Sequence, residues 1–236
     1  MSARNAKSTT PYHSTIAHDL DEFGYAVVPK LLNHSECDEM VGLYVEPKSF
    51  RSKIAMGRHN FGSGEYQYFD YPLPAIVQKL RADFYTELAP VANEWSQRLR
   101  TNEVYPSRLD AFLAECHAKE QRRPTPLLLK YTSGDYNRLH QDLYGEVAFP
   151  LQLAICLSES ERDFSGGEFI LAEQRPRVQT RVEVVPLKKG DGVVFANRLR
   201  PIPSVRGYSR VTLRHGVSQI RTGTRYCLGV IFHDAV

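Results

Sequence analysis

The spacing of apolar residues changes once along the chain. Up to about residue 122 they recur mostly at helical intervals, and from Leu127 onward they fall in short runs separated by tight turns. Segment 15–24 reads as a short amphipathic helix ending at Gly24, and 25–28 as a strand. Asn33-His-Ser-Glu36 has the form of a capping box ahead of a helix over 37–44. Residues 47–74 show little period and many glycines and aromatics, which predicts a loop or an irregular strand pair. Val77, Leu80, Phe84 and Leu88 share one face of a helix over 76–88. Pro90 predicts an interruption, with helix resuming through Trp95 to Leu99. A further helix is expected over 107–120, before Pro124 and Pro126 mark a boundary. Residues 1–13 are polar and expected to fray.

Strands are predicted over 127–132, 139–144, 149–157, 167–172, 181–186, 192–196, 210–217 and 225–232. Turns with Ser133-Gly134, Ser165-Gly166-Gly167 and Lys189-Gly190-Asp191-Gly192 separate them. The fold class is therefore mainly β with α: a two-sheet jelly roll, the cupin-like double-stranded β-helix, with an N-terminal helical extension. The expected division is 1–122 as a helical and lid region packed on the core, and 123–236 as the jelly roll.

Composition changes this picture little. Hydrophobic content of 42% and charged content of 24% suit a globular chain of 236 residues. A net charge of +3 permits an anionic partner without arguing for one. No stretch approaches about 18 consecutive apolar residues, and the N-terminus lacks the apolar run of a secretory signal. Cys37, Cys116, Cys156 and Cys227 show no Cys-x-x-Cys spacing, so four reduced thiols in a cytoplasmic protein are expected.

The candidate chemistry lies in the strand-rich half. His140-Gln-Asp142 offers an imidazole and a carboxylate two residues apart, and i and i+2 on a strand share a face. His215, on a later predicted strand, supplies a second imidazole if the two strands lie side by side. Two histidines and one carboxylate form the facial set of a non-haem Fe(II) site, leaving the opposite face open. His34-Ser-Glu36 is a decoy of the same kind, explained by helix capping. Arg225 is the one charge near the start of a strongly apolar strand. Its planar fork could hold a carboxylate with both oxygens, or it could sit at a strand end facing water.

In order, Tyr131-Thr-Ser-Gly134-Asp-Tyr136-Asn-Arg-Leu-His140-Gln-Asp142, Gly166-Gly167-Glu168, Leu187-Lys-Lys-Gly190-Asp-Gly192-Val-Val-Phe195, Arg214-His215-Gly216-Val217 and Gly223-Thr-Arg225-Tyr resemble the catalytic domain of a prolyl-4-hydroxylase-type Fe(II)/2-oxoglutarate dioxygenase. In detail the chain is similar to a bacterial oxygenase family described as acting in oxidative demethylation of damaged nucleic acid. That similarity extends into Arg58-His-Asn-Phe-Gly-Ser-Gly-Glu-Tyr-Gln-Tyr-Phe. The resemblance implies that His140, Asp142 and His215 bind iron and that Arg225 holds the C5 carboxylate of 2-oxoglutarate. It places Tyr131 against the same cosubstrate, although core packing would also explain that residue. It implies Fe(II), 2-oxoglutarate and O2 as the cofactor set, and a reaction that hydroxylates a substrate C–H bond and releases succinate and CO2. On an N-methyl group the hydroxylated product loses formaldehyde, which is demethylation.

The spacing from His215 to Arg225 is of the hydroxylase type, shorter than in dedicated alkylation-repair demethylases. Small molecule, peptide (including a peptidyl-prolyl substrate) and modified nucleic-acid base all remain open as substrates, as does a non-enzymatic jelly-roll binding module. Arg58, His59, Asn60, Tyr66 and Arg214 are the candidate substrate contacts. Arg198, Arg200, Arg206, Arg210 and Arg214 could meet phosphates or form a solvated loop with one structural arginine.

Overall fold

The computed structural model describes residues 13–59 and 61–236, without the side chains of His13, Ser14 and His59. The polar N-terminal stretch expected to fray lies almost wholly outside the described residues. The first half contains helix α1 (His13–Phe23), strand β1 (Tyr25–Val28), helix α2 (His34–Gly42), and strands β2 (Phe50–Ala55), β3 (Gly62–Ser63) and β4 (Glu65–Phe69). Helices α3 (Ala75–Leu99) and α4 (Leu109–Ala118) follow. The second half is strand after strand: β5 (Leu127–Thr132), β6 (Tyr136–His140), β7 (Leu151–Cys156), β8 (Phe164–Gly166), β9 (Phe169–Gln174), β10 (Arg181–Val185), β11 (Gly192–Ala196), β12 (Leu199–Ser204), β13 (Gly207–Val217) and β14 (Ile220–Val230).

Among the described residues these strands form two sheets. The larger has the order β1-β11-β7-β14-β5-β4-β2, with β8 also on β14, and the smaller the order β10-β9-β13-β6-β3, with β12 also on β13. Every ladder between these strands is antiparallel, as a jelly roll requires. The stretch 47–74, expected as a loop or irregular pair, supplies the regular hairpin strands β2 and β4, and β4 continues the large sheet beside β5. The capping box is present: Asn33 Oδ1 accepts from the Glu36 N–H, and Glu36 accepts from the Asn33 N–H.

The expected break at Pro90 does not occur. Proline costs about 3 kcal/mol inside a helix. The face that continues past it buries Val91, Ala92 and Trp95, and a fully buried large apolar side chain returns about 1.5–3 kcal/mol. Packing of that face therefore outweighs the lost backbone bond. Helices α3 and α4 cover the outer face of the large sheet through Tyr85, Phe112, Phe149 and Phe232, whose rings lie 4.9–6.2 Å apart in successive pairs.

Arg81 and His233 are among the polar side chains buried in this core. Arg81 is fully buried; it donates to Asp234 (2.7 Å), to the carbonyls of Ile231 and Phe232 (each 3.0 Å) and to the Tyr71 hydroxyl (2.8 Å). His233 accepts the Phe149 N–H at 3.2 Å through Nδ1. Burial, with help from the Arg81 charge, pushes the His233 imidazolium pKa down to about 4. Unfolded, the same group titrates near 6.5. Between those values the unfolded chain takes up a proton that the folded chain refuses, so stability is intact above pH 6.5 and falls as pH drops towards 4. The His233→Asn variant keeps an acceptor for Phe149. Urea midpoints measured from pH 7 to 4 are expected to show the wild type losing roughly 3 kcal/mol more than this variant.

Candidate metal centre and its cavity

The strand predicted over 139–144 is displaced. Strand β6 ends at His140, and Asp142 lies in the irregular segment that follows. His140 and Asp142 nevertheless come together, and His215 on β13 is the direct cross-strand partner of His140. The two imidazole rings are 4.2 Å apart. His140 Nε2 is 3.4 Å from Asp142 Oδ1, and His215 Nε2 is 3.3 Å from Asp142 Oδ2. One atom from each residue falls within 4.8 Å of the others. Ligands about 2.1 Å from a first-row divalent ion, at right angles, stand about 3 Å from each other, so the set needs little adjustment to close on one.

The protonation pattern suits that use. His140 Nδ1 donates to the Arg138 carbonyl at 2.7 Å, so Nε2, the atom facing Asp142, is the one available as a ligand. Burial lowers the His140 pKa but the Asp142 carboxylate raises it more, so a metal there would displace a proton. Burial raises the Asp142 carboxyl, but hydrogen bonds and charge from His140 and His215 outweigh it and hold the group well below the usual carboxylate range. Burial, and then the neighbouring His140, push His215 down and favour its neutral form.

The three residues open onto a cavity between the sheets. Arg225 and Tyr131, direct partners on β14 and β5, line the same cavity. Arg225 is 2% exposed, and its Nε and Nη1 make no hydrogen bond among the described residues. The strand-end arginine facing water is therefore not what the structure holds. A buried guanidinium without a carboxylate is costly and suits an anion from outside the chain. Tyr131 is also buried, and its hydroxyl accepts from Asn137 Nδ2 at 3.3 Å.

The other candidates divide. Tyr66 lines the cavity. Arg58 is exposed and absent from the lining, and Arg214 is exposed on the face of β13 opposite His215. The His59 side chain and Asn60 lie outside the described residues. The arginine-rich stretch is a hairpin of β12 and β13. Its Arg200 is buried on Glu173 at 2.6 Å, whereas Arg198 and Arg210 line a separate groove. His34 is a surface residue 4.0 Å from Glu159.

Sequence reasoning missed Tyr144, Gln152 and Asn197, all of which contact Asp142. Gln152 left a signal, as the one polar residue in the run Leu151-Gln-Leu-Ala-Ile-Cys156.

Residues 64–235 match the family described as "Oxygenase, catalysing oxidative methylation of damaged DNA". An uncharacterized protein of Mycobacterium tuberculosis is 49% identical over 167 residues, 71% of this chain and 72% of that protein. Among solved structures, a Pseudomonas putida prolyl-4-hydroxylase superposes with a TM-score of 0.55 at 14% identity, covering 95% of this chain and 99% of the other. The non-heme alpha ketoglutarate dependent epimerase SnoN, from nogalamycin biosynthesis, gives 0.56 at 14% identity, covering 93% and 81%. The fold and the family expected from the sequence motifs are both present. The chain belongs to this oxygenase family, and it is built on a jelly-roll core.

Proposed function

We propose that His140, Asp142 and His215 are the iron ligands and that Arg225, with Tyr131 beside it, takes the C5 carboxylate of 2-oxoglutarate. The observation that carries this assignment is one cavity with the His-Asp-His set and an unpartnered buried guanidinium both in its wall. Fe(II) held by His140, Asp142 and His215 would supply the coupling of 2-oxoglutarate decarboxylation by O2 to hydroxylation of a substrate C–H bond, with release of succinate and CO2. The chain's own residues fix the ligand geometry, fix the cosubstrate's direction through Arg225, and keep water out with Phe164, Phe169, Phe195 and Val217, which are buried around the site. On this assignment 123–236 holds the catalytic residues and most of the two sheets, and 13–122 adds strands β1 to β4 and the covering helices.

The substrate is a small molecule, a peptide or a modified base. The family's description favours a base in damaged DNA as the second, sharper reading. Oxidation of an N-methyl group on such a base would remove it as formaldehyde. Formaldehyde release from methylated oligonucleotides, measured beside hydroxylation of a peptide panel, separates the two; no release from any methylated base removes the nucleic-acid reading. Anaerobic titration of the protein with Fe(II) and 2-oxoglutarate should develop a visible absorption band, and its absence from folded protein would overturn the assignment.

Arg225→Met tests the cosubstrate end. Losing one partner of a buried charge pair typically costs 2–5 kcal/mol, so the KM for 2-oxoglutarate should rise about 100-fold or more. The ligand-free variant should melt no lower than wild type, because the guanidinium it loses has no carboxylate partner there.

A further inference from the structure

We propose that Tyr144 and Gln152 are positioning residues that orient the Asp142 carboxylate for the metal. The proposal rests on the ligand assignment above. His140 and His215 lie on paired strands, and the ladder between them fixes their backbones. Asp142 has no such support, because β6 ends two residues earlier. Side chains replace the missing ladder. Asn197 Oδ1 accepts the Asp142 N–H at 2.8 Å, and Asn197 Nδ2 donates back to the Asp142 carbonyl. This reciprocal pair locates the backbone but leaves the carboxylate free to rotate.

The rotation is stopped by two donors, one on each oxygen. The Tyr144 hydroxyl donates to Oδ1 at 2.8 Å, and Gln152 Nε2 donates to Oδ2 at 3.0 Å. An ionised carboxylate offers about four lone-pair directions. The two donors occupy one on each oxygen, and the remaining ones face the two imidazoles, where the metal would sit. The donors are themselves held. The Tyr144 ring meets Tyr68 edge-on at 6.3 Å and the His233 ring at 6.2 Å. Gln152 is buried on β7, with Nε2 also 3.2 Å from His215 Nε2. Its Oε1 is buried with no hydrogen bond among the described residues. An amide placed for its own satisfaction would not leave its oxygen so, since such an orphan costs about 1–3 kcal/mol. Its orientation is set by the carboxylate it serves.

The test uses Co(II) alone as a spectroscopic probe of the ligand-free, full-length protein, with Tyr144→Phe, Gln152→Leu, the double variant and Asp142→Ala. Removing such supporting partners typically weakens metal affinity about 10–100-fold. Tyr144→Phe and Gln152→Leu should each fall in that range, the double variant further, and the visible Co(II) bands should change shape as the carboxylate turns. A role in folding alone predicts lower melting temperatures with wild-type affinity and spectrum, and that result overturns the proposal. Should Gln152→Leu not fold, Tyr144→Phe, which removes a single oxygen atom, decides by itself. Wild-type affinity in Asp142→Ala would instead overturn the ligand assignment, so the two failures are distinguishable.

Discussion

His215→Ala is expected to reduce 2-oxoglutarate-dependent succinate formation to background, with the protein still folded. The ring removed is one of two imidazoles in the His-Asp-His set, and its Nε2 faces the Asp142 carboxylate at 3.3 Å. With it gone, His140 and Asp142 offer two ligands on adjoining backbone, too few for a facial site. Metal ions contribute several kcal/mol to the reactions they catalyse, which corresponds to about 10^3-fold in rate or more. Folding should tolerate the change, because Tyr144, Asn197 and the Gln152 amide still hold Asp142, although Gln152 loses its second neighbour, His215 Nε2. Succinate yield, Fe(II) titration and a melting curve on the same preparation check the prediction. His34→Ala, at the surface decoy, should leave all three unchanged. Retained turnover in His215→Ala would refute the assignment of that residue.

The largest loss of stability should follow Arg81→Ala. The side chain joins the middle of α3 to the C-terminal segment through Asp234 and the carbonyls of Ile231 and Phe232. Both charges are buried, at 1% and 0% side-chain exposure. Removing one strands the other, which typically costs 3–5 kcal/mol, against a total stability of about 5–15 kcal/mol for a domain. Tyr71 and His117 remain as hydrogen-bond partners of Asp234, but the four donations of the guanidinium are lost. For a chain of this length, a melting temperature roughly 6–20 °C below wild type is expected. Simultaneous replacement of Arg81 and Asp234 by apolar residues of similar volume should restore much of it, since the penalty belongs to the stranded charge. A melting shift of only a degree or two in Arg81→Ala would contradict this account.

The sequence disclosed the site through residue types and order, and the fold through period. Strands 127–132 and 192–196 match β5 and β11 to the residue, because short apolar-rich runs bounded by Pro or Gly signals have few alternatives. Strand β12 was not legible: Leu-Arg-Pro-Ile-Pro-Ser carries two prolines, which a strand tolerates only where one side is unpaired, and β12 pairs with β13 alone. Strand β6 was misplaced because Tyr136-Asn-Arg-Leu-His140 is polar, and because the register shift opposite His215 to Val217 hides the alternation. Helix α3 ran through Pro90 because tertiary packing overrode a local breaker. At the site, His140, Asp142 and His215 were visible as ligand types at plausible spacing. Asn197 and Tyr144 were not, since an Asn after a strand and a Tyr in a loop carry no mark of what they touch.

The ladders β1 on β11 and β4 on β5 have a consequence for handling the protein. Both partners in the second half depend on strands from the first half to cover their outer edges. A fragment beginning at 123 would present two rows of unpaired N–H and C=O groups, and would also uncover the aromatic layer around Phe149 and Phe232 now shielded by α3 and α4. Such a fragment would contain all three residues of the His-Asp-His set and Arg225, yet it should assemble edge to edge into aggregates rather than persist as a working miniature.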